Sequence, residues 1–190
     1  YFGQVKYNFD EKYYVSGSFR RDASSRFHPD NRWGSFWSVG ASWRMNKEAF
    51  MESLTWINDL KVKASFGTQG NDNIGNNQPY KDQYIVVSND GAIGTQYVFR
   101  GNKDITWEKS NNFNAGVEFK LWDRLSGNIE YFSKTTWDLL YYKPLPPSQG
   151  VPSGIYENTM RMRNQGVEIE LNYDIFTHNN FKWNVASNAT

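Results

Sequence analysis

The sequence predicts an all-β chain, an antiparallel sheet that forms part of a transmembrane β-barrel with long extracellular loops. Three observations predict it. Apolar and polar residues alternate with period two through eight segments. Several of the apolar faces carry aromatics at their ends and small aliphatics in the middle. The connections between segments alternate between short and long.

The first two strands are Val5 to Phe9 and the run in which Tyr13, Val15, Gly17 and Phe19 alternate with Tyr14, Ser16, Ser18 and Arg20. Trp37, Val39, Ala41 and Trp43 against Ser38, Gly40, Ser42 and Arg44 make the third, and Leu60, Val62, Ala64 and Phe66 against Lys61, Lys63 and Ser65 the fourth. Phe113, Ala115, Val117, Phe119 and Leu121 mark the fifth, and Leu125, Ile129 and Tyr131 the sixth. Val167, Ile169, Leu171 and Tyr173 mark the seventh, and Phe181, Trp183 and Val185 the eighth. A strand of about 10 residues, tilted by about 40°, rises roughly 25 Å, the height of a bilayer's apolar band. A soluble sandwich alternates too, but it places its largest side chains at the centre of the face and not at the ends. Period two then assigns Val39, Ala41, Val62, Val117 and Ile169 to lipid, and Ser38, Lys61, Lys63, Glu118 and Glu170 to the lumen.

The short connections, 10–12, 122–124 and 176–180, fall on the periplasmic side, and residues 22–35, 68–110 and 135–165 fall outside. The inner connection 45–59 is longer than usual; Phe50 and Leu54, spaced i, i+4 behind Asn46 as N-cap, predict a short helix there. Eight strands would close only a narrow barrel filled by side chains, whereas the inward Lys, Glu, Asn and Ser suit a wide, wet or plugged lumen.

Composition narrows the function. Eight Trp, 12 Tyr and 13 Phe accompany a polar mean hydropathy of −0.76, the balance expected of half-buried strands. A net charge of +1 gives no field to attract nucleic acid, and the absence of cysteine excludes a disulfide framework or thiolate metal site. No apolar run approaches the roughly 20 residues of a membrane-spanning helix. The chain starts at Tyr1 without a signal-like segment, so it is expected to be a piece of something longer.

Catalytic and metal readings are weak. Glu168 and Glu170 share a strand face but have no second wall to form a glycosidase cleft. His28 and His178 fall on opposite sides of the membrane. The run Asn71-Asp72-Asn73-Ile74-Gly75-Asn76-Asn77 lacks the acidic spacing and closing Glu of a calcium loop. Gly67, Gly70 and Gly75 lack the GK[ST] of a phosphate loop. The candidates for substrate contact are Trp33, Tyr80, Tyr84, Tyr97, Tyr141, Tyr142 and Tyr156, because flat rings with a polar tip suit sugar faces and peptides. The same rings serve equally well in loop packing or an outer girdle. Pro144 to Gly150 reads as a stiff loop arm.

Several local sequences, in the family's order, resemble the barrel of SusC/RagA-like TonB-dependent transporters. Asp22-Ala23-Ser24-Ser25-Arg26-Phe27 with Asn31-Arg32-Trp33-Gly34 and Phe36-Trp37-Ser38-Val39-Gly40 resembles the family's loop into a Phe-Pro-Ser strand, Ala23 and Trp37 replacing Gly and Pro. Leu60 to Phe66 followed by Gly67-Thr68-Gln69-Gly70-Asn71, and Asn102-Lys103-Asp104-Ile105-Thr106-Trp107-Glu108, are similar to two further motifs, Lys103 replacing Pro in the second. Asn164-Gln165-Gly166-Val167-Glu168 is similar to a strand start. The resemblance implies that residues 1–190 are part of a receptor barrel domain of about 22 strands. It places the plug domain, TonB box and C-terminal strand outside this sequence. It also implies the cell outer membrane as location, and no enzymatic activity or cofactor. The implied role is import of an oligosaccharide or peptide, with a SusD-like surface lipoprotein and TonB as partners. The alternatives from the residues alone are a soluble carbohydrate-binding β-sandwich and, behind it, a glycoside hydrolase.

Overall fold

The computed structural model describes residues 1–89, 91–146, 148, 154–178 and 181–190. Ten strands run in chain order: β1 (Phe2–Phe9), β2 (Tyr13–Ala23), β3 (Trp33–Arg44), β4 (Ile57–Asn71), β5 (Gln83–Asn89), β6 (Ala92–Phe99), β7 (Glu108–Leu121), β8 (Leu125–Lys143), β9 (Ile155–His178) and β10 (Phe181–Ala189). Eight of them form one antiparallel sheet in the order β1-β2-β3-β4-β7-β8-β9-β10. Among the described residues β5 and β6 pair only with each other.

The register shows why alternation was so visible. Tyr7, Val15, Ala41, Ala64, Ala115, Tyr131 and Val167 lie side by side on one face. On the other face a row runs Ser42, Lys63, Gly116, Glu130, Glu168. Val39, Ala41, Val62, Val117 and Ile169 all share the first face, and Ser38, Lys61, Lys63, Glu118 and Glu170 the second, as the period assigns them. No second sheet covers the apolar face among the described residues: Val39 remains 46% exposed and Val5 72%. A sandwich would bury those positions. Here the buried apolar side chains, Phe27, Phe36, Ile74, Phe99, Ile105 and Trp107, all gather at the outer end.

The tight inner turns are built from left-handed residues. Asp10 and Glu11 have φ of 52° and 49°, Trp122 and Asp123 of 52° and 55°, and Lys12 N–H donates to Phe9 O (3.0 Å) as Arg124 N–H does to Leu121 O (3.1 Å). This is the primed turn geometry that matches strand twist. A tryptophan in that conformation is strained. Trp122 is held there by stacking on Trp56 (5.2 Å) and donating its N–H to Trp56 O, while Asp123 N–H donates to Asn58 Oδ1.

Three expectations need correction. The 45–59 connection holds two short 3₁₀ turns, Met45–Lys47 and Ala49–Met51, not an α-helix. Asn46 is no N-cap; its amide donates to Asn58 O and its Oδ1 accepts from Leu60 N–H, tying the connection to β4. Residues 68–110 are not a long plain loop, because β5 and β6 form a hairpin inside them. Most of 135–165 is strand: β8 and β9 stay paired up to Lys143 and Ile155. Their ladder skips Asp138 and Met160, both at positive φ (54° and 67°). The cause of the last two misses is the same. Beyond the membrane both faces of a strand are wet, so no apolar period marks it. The arm from Pro144 to Gly150 and the 176–180 connection lie partly outside the described residues.

Candidate functional site: the lumenal face and the outer rim

The inward face begins with small residues. Ser16, Ser18, Ser38, Gly40, Ser65 and Gly67 floor a trough of about 900 Å³. Ser18 Oγ and Ser38 Oγ are hydrogen-bonded at 2.7 Å, and a Cβ on Gly67 would lie 2.8 Å from that of Ser38, so the floor is already as filled as its backbone spacing permits. Toward the inner side the face becomes charged. Lys63 Nζ lies 2.8 Å from both Glu118 and Glu130, and Lys61 Nζ lies 3.0 Å from Glu118. Ion pairs of this kind, partly wet, contribute little stability. Their consequence is a hydrophilic wall.

At the outer end of the trough the loops knit into a second, apolar structure. Phe27 and Ile105 are fully buried, and Trp107 packs edge-on against Phe27 (5.6 Å) and Phe36 (5.4 Å). Gly34 and Gly70 leave room for the Phe36 ring: a Cβ on Gly34 would lie 2.6 Å from its Cζ, and one on Gly70 would clash with the same ring atom. Side chains then satisfy the loop backbone. Ser24 Oγ donates to Asp72 Oδ2 (2.7 Å), Arg26 Nη1 to Asp72 O (2.9 Å), Trp107 Nε1 to Arg32 O (2.9 Å) and Asn102 Nδ2 to Tyr156 O (2.9 Å). Asn158 accepts from Thr106 N–H (2.8 Å) and donates to the carbonyls of Thr106 (2.9 Å) and Asp138 (2.8 Å), acting as one rung of a ladder. The sequence motifs at 22–27, 31–34 and 102–108 are therefore the rivets of the rim.

The β5–β6 hairpin meets this rim where Phe99 packs on Tyr156 (5.8 Å), and its own base is closed by Asp82. Asp82 Oδ1 accepts from Gly101 N–H (2.8 Å) and from the Tyr97 hydroxyl (3.0 Å), and these two donors hold its carboxyl below the ordinary value of 3.8. On the inner side Glu48 has a similar role: the Tyr13 hydroxyl (2.6 Å) and the Trp43 indole N–H (3.0 Å) donate to it and lower its pKa.

The structure sorts the seven aromatic candidates. Tyr80 and Tyr156 pack on the rim core, and Tyr142 sits 5.1 Å from Tyr156, which is in turn 5.8 Å from Phe99. Tyr84 and Tyr97 pair at 5.1 Å on the hairpin, with Tyr84 60% exposed. Trp33 stacks on Tyr1 under the Arg21 guanidinium, and Tyr141 pairs across from Glu157; neither joins a cluster with the other five. The acidic pair Glu168 and Glu170 sits on the open inward face beside Glu130 and Asn128. In the 71–77 run, Asn71 Oδ1 accepts from Asn73 N–H and Asn76 Oδ1 from Gln78 N–H, which are turn contacts. Among the described residues no three His, Asp or Glu side chains are grouped to hold a metal. What period-two reasoning missed is the hairpin and its Asp82 anchor; a Gly101 amide two strands away leaves no local signal.

A single twisted sheet with an apolar outer face, a polar inner face and loops knitted at one end is the wall of an outer-membrane barrel. The whole chain, residues 1–190, matches the family described as TonB dependent receptor-like, beta-barrel. The chain belongs to that family, on its SusC/RagA-like side, and its place is the outer membrane; its kin are receptors and transporters, not enzymes. It is 31% identical to the TonB-dependent receptor SusC of Bacteroides thetaiotaomicron over 199 residues, covering 100% of this chain and 20% of that protein. It is 33% identical to the TonB-dependent receptor P39 of Formosa agariphila over 191 residues, covering 98% and 18%. The structure of the RagAB peptide importer in its "closed-closed" state superposes with a TM-score of 0.91 at 33% identity, over 98% of this chain and 21% of that one. The chain thus spans about a fifth of the length of these relatives.

Proposed function

We propose that residues 1–190 form part of the barrel domain of a transporter that imports a large nutrient, an oligosaccharide or peptide, across the outer membrane. TonB supplies the energy through a segment outside this sequence, and a SusD-like surface lipoprotein seats on the outer rim. The observation that carries the reading is the two-sided wall: a polar trough of about 900 Å³ runs inward from the rim while the opposite face is apolar. Similarity to SusC and to a peptide importer supports the cargo class. Of the aromatic candidates, Tyr84, Tyr97 and Tyr142 are the proposed substrate contacts, because they cluster on the outer hairpin and at the rim.

Deleting the full-length gene in its host and screening growth on a panel of oligosaccharides and peptide mixtures tests this. Loss of growth on one nutrient class, restored by the wild-type gene, is expected. Restoration by a gene lacking residues 83–99 should fail even though the barrel reaches the outer membrane. Unchanged growth on every nutrient would contradict the import reading.

A further inference from the structure

We propose that the outward face of β7, β8 and β9, just above the apolar band, is a binding site for a phosphate-bearing lipid headgroup of the outer leaflet. The apolar face ends on these strands at Phe113, Tyr131 and Val167. Continuing outward on the same face, Asn111, Thr135 and Arg163 form one cross-strand row, and Lys109, Trp137 and Arg161 form the next. Two residues along a tilted strand rise about 5 Å, so these rows stand about 5 and 10 Å above the aromatic girdle, at headgroup depth.

Charge decides the ligand. Lys109, Arg161 and Arg163 are all exposed, and none makes an ion pair among the described residues. Two of the acids nearby are already engaged, Glu108 accepting from Asn71 and Leu140 on the inward side and Glu157 pairing with Lys143 (3.2 Å), while Asp138, next to Trp137 at the ladder break, makes no ion pair among the described residues. Lys109 on β7 and Arg161 and Arg163 on β9 flank β8 across about 10 Å, two strand spacings, a gap their long side chains can close on one phosphate, with the amide of Asn111 and the hydroxyl of Thr135 beside it.

A second observation is the asymmetry between the two rims. At the outer rim an arginine lies over two outward tryptophans, Arg161 over Trp137 (5.3 Å) and Arg21 over Trp33 (5.2 Å), while a third, Trp37, packs on Phe66 (5.5 Å). At the inner rim Tyr13, Trp43, Trp56 and Trp122 pair among themselves or with Glu48, and none lies under a cation among the described residues. Among the described residues the outward arginine–tryptophan pairs stand at the outer rim. This inference rests on the outward register, not on the identity of the cargo.

The test uses the full-length protein in detergent, with native mass spectrometry and lipid A as probe. Wild type should retain lipid A but not its phosphatase-treated form, and inorganic phosphate at equal concentration should not displace it. The triple variant Lys109→Gln, Arg161→Gln, Arg163→Gln should bind on the order of 100-fold more weakly, since each basic residue at an anionic surface is worth roughly fivefold. Arg161→Lys with Arg163→Lys should retain most binding. A control of equal charge loss, Lys81→Gln, Lys103→Gln, Lys134→Gln, should bind like wild type. Equal retention of the dephosphorylated lipid by wild type, displacement by free phosphate, or equal loss in the control would each overturn the proposal. So would wild-type binding by the triple variant, provided both run as folded, heat-modifiable barrels.

Discussion

The membrane band and the outer rim of this chain are held by opposite devices. In the band, order comes from backbone ladders whose register repeats across neighbouring strands, and the side chains only choose a solvent on each side. At the rim, the ladders end or fray and order comes from individual side chains: Trp107 wedged between Phe27 and Phe36, Asn158 tying the Thr106 backbone to β9, Asp72 and Asp82 each collecting donors. The band should therefore be sensitive to which face a residue occupies and tolerant of its identity. The rim should be sensitive to identity at a few positions.

The largest expected effect breaks the rim alone. Trp107→Ala removes the centre of the buried cluster and the donor to Arg32 O, on the order of 3–5 kcal/mol by analogy with other buried aromatic deletions. Outer-loop proteolysis in intact cells should rise sharply while heat-modifiability of the barrel persists. In the band, Ala41→Arg or Val117→Arg should cost about 2–4 kcal/mol in a folding assay into bilayers, whereas Ser42→Arg, one residue along, should be tolerated. Equal costs on both faces would refute the orientation. Asn158→Ala leaves the Thr106 N–H and two carbonyls unpartnered and should cost roughly 1–3 kcal/mol, again read as loop cleavage.

The smallest effect is the pH response of the hairpin. Asp82 has a lowered pKa, so its stabilising contribution is fully present above the ordinary value of 3.8 and is lost as pH falls through the lower, folded value. Protease protection of residues 83–99 should be flat from neutral pH down to about pH 4 and decline below it. Asp82→Asn should be less protected at neutral pH and lose that acid response.

These two regions also mark what could be read from the sequence. The eight sheet strands were legible because each spans a boundary between lipid and water that imprints period two on Val15, Ala41, Val62, Val117 and Ile169. The outer halves of β8 and β9 were not, since Ser133, Thr135 and Arg163 face water on the side where Val117 and Ile129 face lipid. The hairpin was invisible for the same reason. At the rim, family resemblance located the rivets at Ser24, Thr106 and Trp107 without giving their partners. Those partners, Asp72, Asn158 and Arg32 in turn, lie 48, 52 and 75 residues away, and side-chain bonds over such separations leave no pattern in a single sequence. The seven aromatic candidates were chosen for chemistry alone, and only their placement separates hairpin and rim residues from the outward Trp33.

The central claim is that the face bearing Ala115 and Val117 meets lipid and the face bearing Gly116 and Glu118 meets the lumen. Single cysteines at these four positions, introduced one at a time into the full-length protein on a cysteine-free background and spin-labelled in bilayers, test it directly; this chain contributes no cysteine of its own. Accessibility to oxygen should peak at positions 115 and 117, and accessibility to a water-soluble nickel chelate, or burial from both, should mark 116 and 118. An alternation in the opposite phase, or none, would contradict the account.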